Sequence, residues 1–184
     1  KGSYKGKTVV VKAKRKESRA VATVQNEINW LTKLNEAGIG PKLLLSSKEK
    51  DWLAYKFVEG EFITDFISSC KEEGKIRSVI KQLLLQCRKL DELKVNKEEM
   101  SRPQKHVLIN GSGKVVMLDF ERCRKALRPK NITQLCQFLA GHANSLLRQK
   151  GIIINRGKIL EAARIYKNSQ TEENFKRIEA CITG

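Results

Sequence analysis

The spacing of apolar residues changes twice along this chain, and each change marks a change of element. Residues 8–12 are a β-branched run after Gly6 and read as a strand, with Gly2 and Gly6 assigned to a preceding strand and its turn. Over 18–37 the residues Val21, Val24, Ile28, Leu31 and Leu34 recur at helical spacing. Gly38 is placed to cap that helix and Pro41 to prevent its continuation. Residues 42–45 and 52–58 read as two more strands around the charged turn Lys48-Glu49-Lys50-Asp51, and Glu59-Gly60 breaks the pattern.

Beyond residue 60 the pattern is mainly helical. A short helix is expected over 62–70, and a longer one over 75–94 with Ile76, Val79, Ile80, Leu83, Leu84, Cys87 and Leu90 on its buried face. Asn131 is suited to cap a helix running to about 150, buried on the side of Ile132, Leu135, Cys136, Leu139, Ala143 and Leu146. Two further helices are expected near 157–166 and 171–182. One β-rich passage interrupts them. Strands at 107–109 and 114–118 flank the turn Asn110-Gly111-Ser112-Gly113, a hairpin preceded by the polar loop 100–106 and followed by Asp119-Phe120-Glu121.

A chain of 184 residues can bury one substantial core or two small lobes. It opens on Lys1 rather than Met, and the expectation is that an N-terminal piece precedes it. Its net charge is +17, from 37 Lys plus Arg against 20 Asp plus Glu. That excess points either to contact with RNA, ribosomes or another polyanion, or to a solvated Lys-rich surface, and both readings stay open. Aromatic residues are too few, and too unpatterned, for sequence-specific base stacking. Cys70, Cys87, Cys123, Cys136 and Cys181 are scattered, odd in number and never in C-x-x-C spacing, which indicates reduced thiols, no zinc site and an intracellular setting. The cytoplasm is the default, with an organelle left open. No apolar run is long enough to cross a bilayer, so no membrane partner is expected.

A polar loop, a hairpin and a following Asp-Phe are the layout of a protein-kinase catalytic loop and metal-binding segment. In H-R-D-x-x-x-x-N the Asn helps to hold a metal, and the Asp of D-F-G follows a little over a dozen residues later. Here His106 stands in the Asn position and Asp119 follows it by thirteen residues, while D-F-E replaces D-F-G and H-R-D is absent. Lys12 ends a strand of the V-A-I-K type. Glu27 lies at the edge of the following helix's apolar stripe, where its carboxylate needs a partner, and Lys12 is the candidate.

The residues Ser101-Arg102-Pro103-Gln104-Lys105-His106-Val107, then Leu118-Asp119-Phe120-Glu121, then Arg128-Pro129-Lys130-Asn131-Ile132-Thr133, resemble a family of small serine/threonine kinases best represented in archaea, distant relatives of the RIO-type kinases. The resemblance is sharp over 99–139, diffuse over 9–60, and uninformative beyond 151. It implies an α+β, minimal two-lobed protein-kinase-like fold. Residues 1–59 would form an N-lobe of antiparallel sheet plus one helix, and 60–184 a mainly helical C-lobe with the catalytic hairpin at 97–121, the two making one domain. It implies ATP as substrate, with Mg²⁺ or Mn²⁺, and transfer of the γ-phosphoryl to a Ser or Thr hydroxyl, most naturally on a protein.

By the same resemblance Lys12 would bind the α- and β-phosphates with Glu27 aiming it, and Glu99 would take the place of the catalytic Asp in a loop two residues longer. Asp119 and His106 would hold the metal, although imidazole suits Mn²⁺ better than Mg²⁺. Tyr55 would guard the back of the pocket, the Lys56 carbonyl and Val58 amide would bond adenine, and Val10 and Leu108 would be the apolar plates of the slot. For Glu121 the expected role is partner to a basic residue such as Arg102 rather than metal ligand. The phosphate-covering G-x-G-x-x-G is absent. Two alternatives stay open: a pseudokinase acting as a basic interaction module, and a small-molecule kinase of the same fold.

Overall fold

The computed structural model describes residues 1–14 and 21–183. The N-terminal part is a four-stranded antiparallel sheet in the order β1-β2-β4-β3, formed by Gly2–Tyr4, Lys7–Ala13, Trp52–Lys56 and Leu43–Ser46 for β1, β2, β4 and β3. The strand and turn read from Gly2 and Gly6 are both present. Helix α1, Val21–Glu36, packs against β3 and β4. The expected helix residues 18–20 and the Val21 side chain fall outside the described residues, but Val24, Ile28, Leu31 and Leu34 are buried as the spacing requires. Gly38 closes the helix with φ +72. Its N–H donates to the Asn35 carbonyl and that of Ile39 to the Leu34 carbonyl, a Schellman pair that needs a left-handed residue at this point.

The remaining chain is mainly helical. α2 (Ile63–Ser69) and α3 (Glu73–Glu92) precede the hairpin of β7 (Val107–Asn110) and β8 (Val115–Met117). A further strand, β5 (Gly60–Phe62), pairs with β7, and its exposed residues carry no alternation that would announce it. Gly60 is required there, because a Cβ would lie 2.2 Å from the Ile109 carbonyl oxygen. Helix α3 hydrogen-bonds to the outer edge of β8 at Val115 and to the turn before it. Gln82 Nε2 donates to the Gly113 carbonyl, the Val115 N–H donates to Gln82 Oε1, and Gln86 Nε2 donates to the Val115 carbonyl. Thus α3 supports the hairpin by hydrogen bonds as well as by its buried apolar face.

Residues 131–150 form two helices where one was expected: α4 (Asn131–Ala140) and α5 (Asn144–Gln149). The break falls at Gly141, with φ −113 and ψ −97, and it shifts the buried position from Leu146 to Leu147. Asn131 does not cap α4 either. It is the first helical residue and fully buried, its Nδ2 donating to Asp91 Oδ1 and the Val95 carbonyl, while the N–H groups of Asn131 and Ile132 donate to the Asp91 carboxylate. A carboxylate from the end of α3 therefore meets the positive end of α4. Helices α6 (Arg156–Asn168) and α7 (Glu172–Thr183) complete the chain, and one continuous core runs from Val24 to Ile182. All five cysteines are free. Among the described residues no helix is long and apolar enough to cross a membrane.

Candidate active site

Three elements converge on Lys12. Strand β2 carries it beside Val10 on one face, α1 brings Glu27, and the end of the hairpin brings Asp119. Lys12 Nζ is 2.6 Å from Glu27 Oε2, 3.4 Å from Asp119 Oδ1 and 3.9 Å from Glu121 Oε2. Glu27 is 1% exposed, and burial raises its carboxyl despite the opposing pull of Lys12. Burial opposes the charge of Lys12 too, but Glu27 and Asp119 outweigh it and raise the ammonium above its usual value. The 2.6 Å contact lets each group offset part of the other's burial cost. Glu27 Oε1 also accepts the Phe120 N–H at 3.4 Å, so one carboxylate ties the lysine to the turn that bears Asp119.

That turn is held on every side. Asp119 has φ +64, a left-handed conformation uncommon in a non-glycine residue. Its carbonyl accepts from Lys97 Nζ at 2.6 Å, and the Lys97 ammonium lies 4.9 Å from the centre of the buried Phe120 ring. Lys97 is 1% exposed, and burial depresses its pKa. From α1, Asn26 Nδ2 donates to the carbonyls of Glu121 and Cys123, and Trp30 Nε1 to that of Cys123. Glu121 thus stands beside Lys12 rather than pairing with Arg102 as expected, because α1 pins its backbone on the Lys12 side.

The loop before the hairpin brings Glu99 and His106 to the same place. His106 Nε2 is 3.1 Å from Glu99 Oε2, and Nδ1 is 3.8 Å from Asp119 Oδ2. Nδ1 is buried without a hydrogen-bond partner among the described residues. Glu99, at φ +74, is also bonded by Arg122 Nη1 at 2.9 Å. Two carboxylates of this cluster are therefore both held in left-handed backbone, a form of strain that clusters at functional sites.

Carboxylate oxygens of Glu27, Asp119 and Glu121 lie within 4.8 Å of one another. Such oxygen donors fit a hard divalent cation. Glu27 is sealed in and already bonded by Lys12 and Phe120, whereas Asp119 and Glu121 keep 33% and 32% of their side-chain surface and are open to one. His106 Nδ1, 3.8 Å from Asp119 Oδ2, lies beside that carboxylate group rather than within it. From the sequence, Glu121 is expected to partner a basic residue such as Arg102 rather than to hold metal.

The residues expected around adenine are placed less closely. Val10 is half-buried and faces Tyr55 across the β2–β4 ladder. Tyr55 feels Glu27, Lys12 and Asp119, and burial followed by Glu27 pushes its phenol up. Leu108 is buried opposite Val116 in the hairpin. Lys56 ends β4 with its N–H donated to the Lys42 carbonyl. Lys56 and Val58 line a cleft of about 850 Å³ that also includes Asn35, Pro41 and Lys114, and whose walls contain neither Lys12 nor Asp119. The residues that sequence reasoning did not assign are Lys97, Asn26 and Arg122. In a chain this rich in lysine, nothing in the lettering separates a buried Lys97 from its exposed neighbours.

The fold is protein-kinase-like. It is similar to the crystal structure of the Rad53 kinase domain and SCD2, with a TM-score of 0.59 over 96% of this chain and 76% of that one, at 17% identity. At that identity the likeness concerns the fold alone. No protein-family model and no curated protein sequence matches the chain.

Proposed function

We propose that this protein is an ATP-dependent phosphotransferase, a serine/threonine protein kinase of the small RIO-related kind, that moves the γ-phosphoryl of ATP to a hydroxyl. The observation that carries this reading is the position of Lys12, 2.6 Å from Glu27 and 3.4 Å from Asp119. A lysine from the sheet and an aspartate from the hairpin meet where a kinase fold gathers phosphates and metal. The N-terminal sheet with α1 and the helical remainder, divided near residue 59, act as the two lobes.

In this account the Lys12 ammonium neutralises charge on the α- and β-phosphates, and Glu27 keeps it aimed. Val10 and Leu108 hold the adenine ring, Tyr55 closes the back of its slot, and the backbone of Lys56 and Val58 reads its edge. Asp119, with His106 and Glu121, holds a divalent ion, which when bound offsets the negative charge of the phosphate oxygens. Glu99 accepts the proton of the acceptor hydroxyl as its oxygen bonds to phosphorus, and ADP leaves with the electron pair of the broken bond. Positioning supplies most of the rate, so the Arg122 hydrogen bond that fixes Glu99, with His106 Nε2 3.1 Å away, matters as much as its basicity.

Incubation with radiolabelled ATP and Mg²⁺ or Mn²⁺ tests the reading. Label transferred to the protein or to a generic protein substrate, and lost in Lys12→Ala and Asp119→Ala, supports it. Label that survives both substitutions discredits the site, and ATP binding without transfer assigns the chain to the pseudokinases.

A further inference from the structure

The side of the site away from β2 has an unusual charge arrangement. Residues 122–130 include Arg122, Arg124, Lys125, Arg128 and Lys130 and no acid. This segment is fastened beside the Glu99 loop by a two-stranded ladder of β6 (Val95–Asn96) and β9 (Arg124–Lys125), by the Ala126 N–H on the Lys94 carbonyl, and by the Lys130 N–H on Asn96 Oδ1. Between the two runs opens a cleft of about 390 Å³ whose walls include Glu98, Glu99, Arg102, Arg124 and Lys130. Arg124 is spent on Glu98 at 3.1 Å. The side chains of Arg102 and Lys130 have no ion pair or hydrogen bond among the described residues, and both are exposed. Two unpaired cations therefore border the carboxylate that would receive the acceptor's proton.

We propose that the acceptor is an acidic peptide segment, with carboxylates or phosphates flanking the hydroxyl that is phosphorylated. This rests on the phosphotransferase reading and names its substrate class. The hydroxyl reaches Glu99 while a flanking anion meets Arg102 and Lys130. A second anion competes for Arg122, which otherwise holds Glu99 at 2.9 Å, and so releases the carboxylate to take the proton. Two features favour a peptide over a nucleic-acid strand. The cleft walls contain no aromatic ring on which a base could stack. Leu127, 93% exposed between Lys125 and Arg128, offers an apolar contact suited to a side chain.

The test uses fluorescent serine peptides that differ only in having acidic, neutral or basic flanks, read by anisotropy at low salt without nucleotide. The same peptides are then assayed for phosphorylation with ATP and Mn²⁺. The acidic peptide is expected to bind best, and Arg102→Gln/Lys130→Gln to weaken it about tenfold, the effect of two exposed ion pairs at low salt. The acceptor KM should rise by a similar factor while kcat and ATP binding stay unchanged, which also reports that the variant is folded. Equal or better binding of the neutral or basic peptide, or an acidic peptide indifferent to the double substitution, overturns the proposal. A labelled oligonucleotide that displaces the acidic peptide through the same two cations also overturns it, in favour of nucleic acid. A wild-type chain that binds no ATP counts against phosphoryl transfer, whereas the anisotropy arm decides the peptide preference separately.

Discussion

Lys97 Nζ donates to the Asp119 carbonyl oxygen at 2.6 Å, so a fully buried ammonium holds the backbone of the residue proposed to bind metal. In Lys97→Met the lost charge-assisted hydrogen bond, about 1.5–3 kcal/mol, is largely offset by relief of a buried charge. Stability should therefore change little. Transfer should nevertheless fall about 100-fold, since a shift of roughly 1 Å in a ligand is enough for that. Thermal melting and the metal dependence of turnover check this: a variant with unchanged turnover would show that the bond is merely structural.

Lys12 and Glu27 separate stability from chemistry. Lys12→Met leaves the carboxylate of Glu27 buried without its counter-ion, with an expected loss of about 2–3 kcal/mol, below the range for fully buried pairs because Lys12 keeps 29% of its side-chain surface. Adding Glu27→Gln should restore most of that stability and none of the activity. Urea unfolding of both single variants and the double variant measures the coupling.

Asn131→Ala removes three buried bonds, to Asp91, to the Val95 carbonyl and from the Lys97 N–H. At about 0.5–1.5 kcal/mol each, the loss should be about 2–4 kcal/mol and lower the melting temperature by roughly 5–15 °C. Because the Lys97 backbone loses its anchor, activity should fall at temperatures well below the melt.

Burial, with Lys97 adding to it, holds the His106 imidazole below its usual 6.5; Glu99 and Asp119 pull the other way and Arg122 opposes them. As pH falls through 6.5 the unfolded chain takes up a proton that the folded chain refuses, so stability falls with pH in the window between 6.5 and the lower folded value. One proton accounts for a slope of at most about 1.4 kcal/mol per pH unit. In His106→Asn, urea midpoints measured between about pH 7 and 5 should lose that component.

The hairpin, α3 and the Lys12–Glu27 pair could be read from the sequence because each leaves a local trace: a glycine turn between β-branched runs, a seven-residue apolar face, and a lone carboxylate on a helix rim. Strand β5 left none, since Gly60, Glu61 and Phe62 pair with β7 only because an edge is available. The two-residue ladder of β6 and β9 is too short for any period. Continuous helix was expected through Gly141 because the apolar spacing on its two sides nearly agrees, and tertiary packing set the bend. Lys97 and Asn131 depend on partners twenty or more residues away, which a single sequence does not display.

Equilibrium titration of ATP, with and without Mg²⁺ or Mn²⁺, tests the meeting of Lys12 and Asp119 most directly. The wild-type chain should bind ATP more tightly with the metal present. Asp119→Asn should abolish the metal-dependent part, and Lys12→Met/Glu27→Gln should weaken binding at every metal concentration. A folded wild-type chain that binds no ATP, or binding indifferent to these substitutions, would contradict the account.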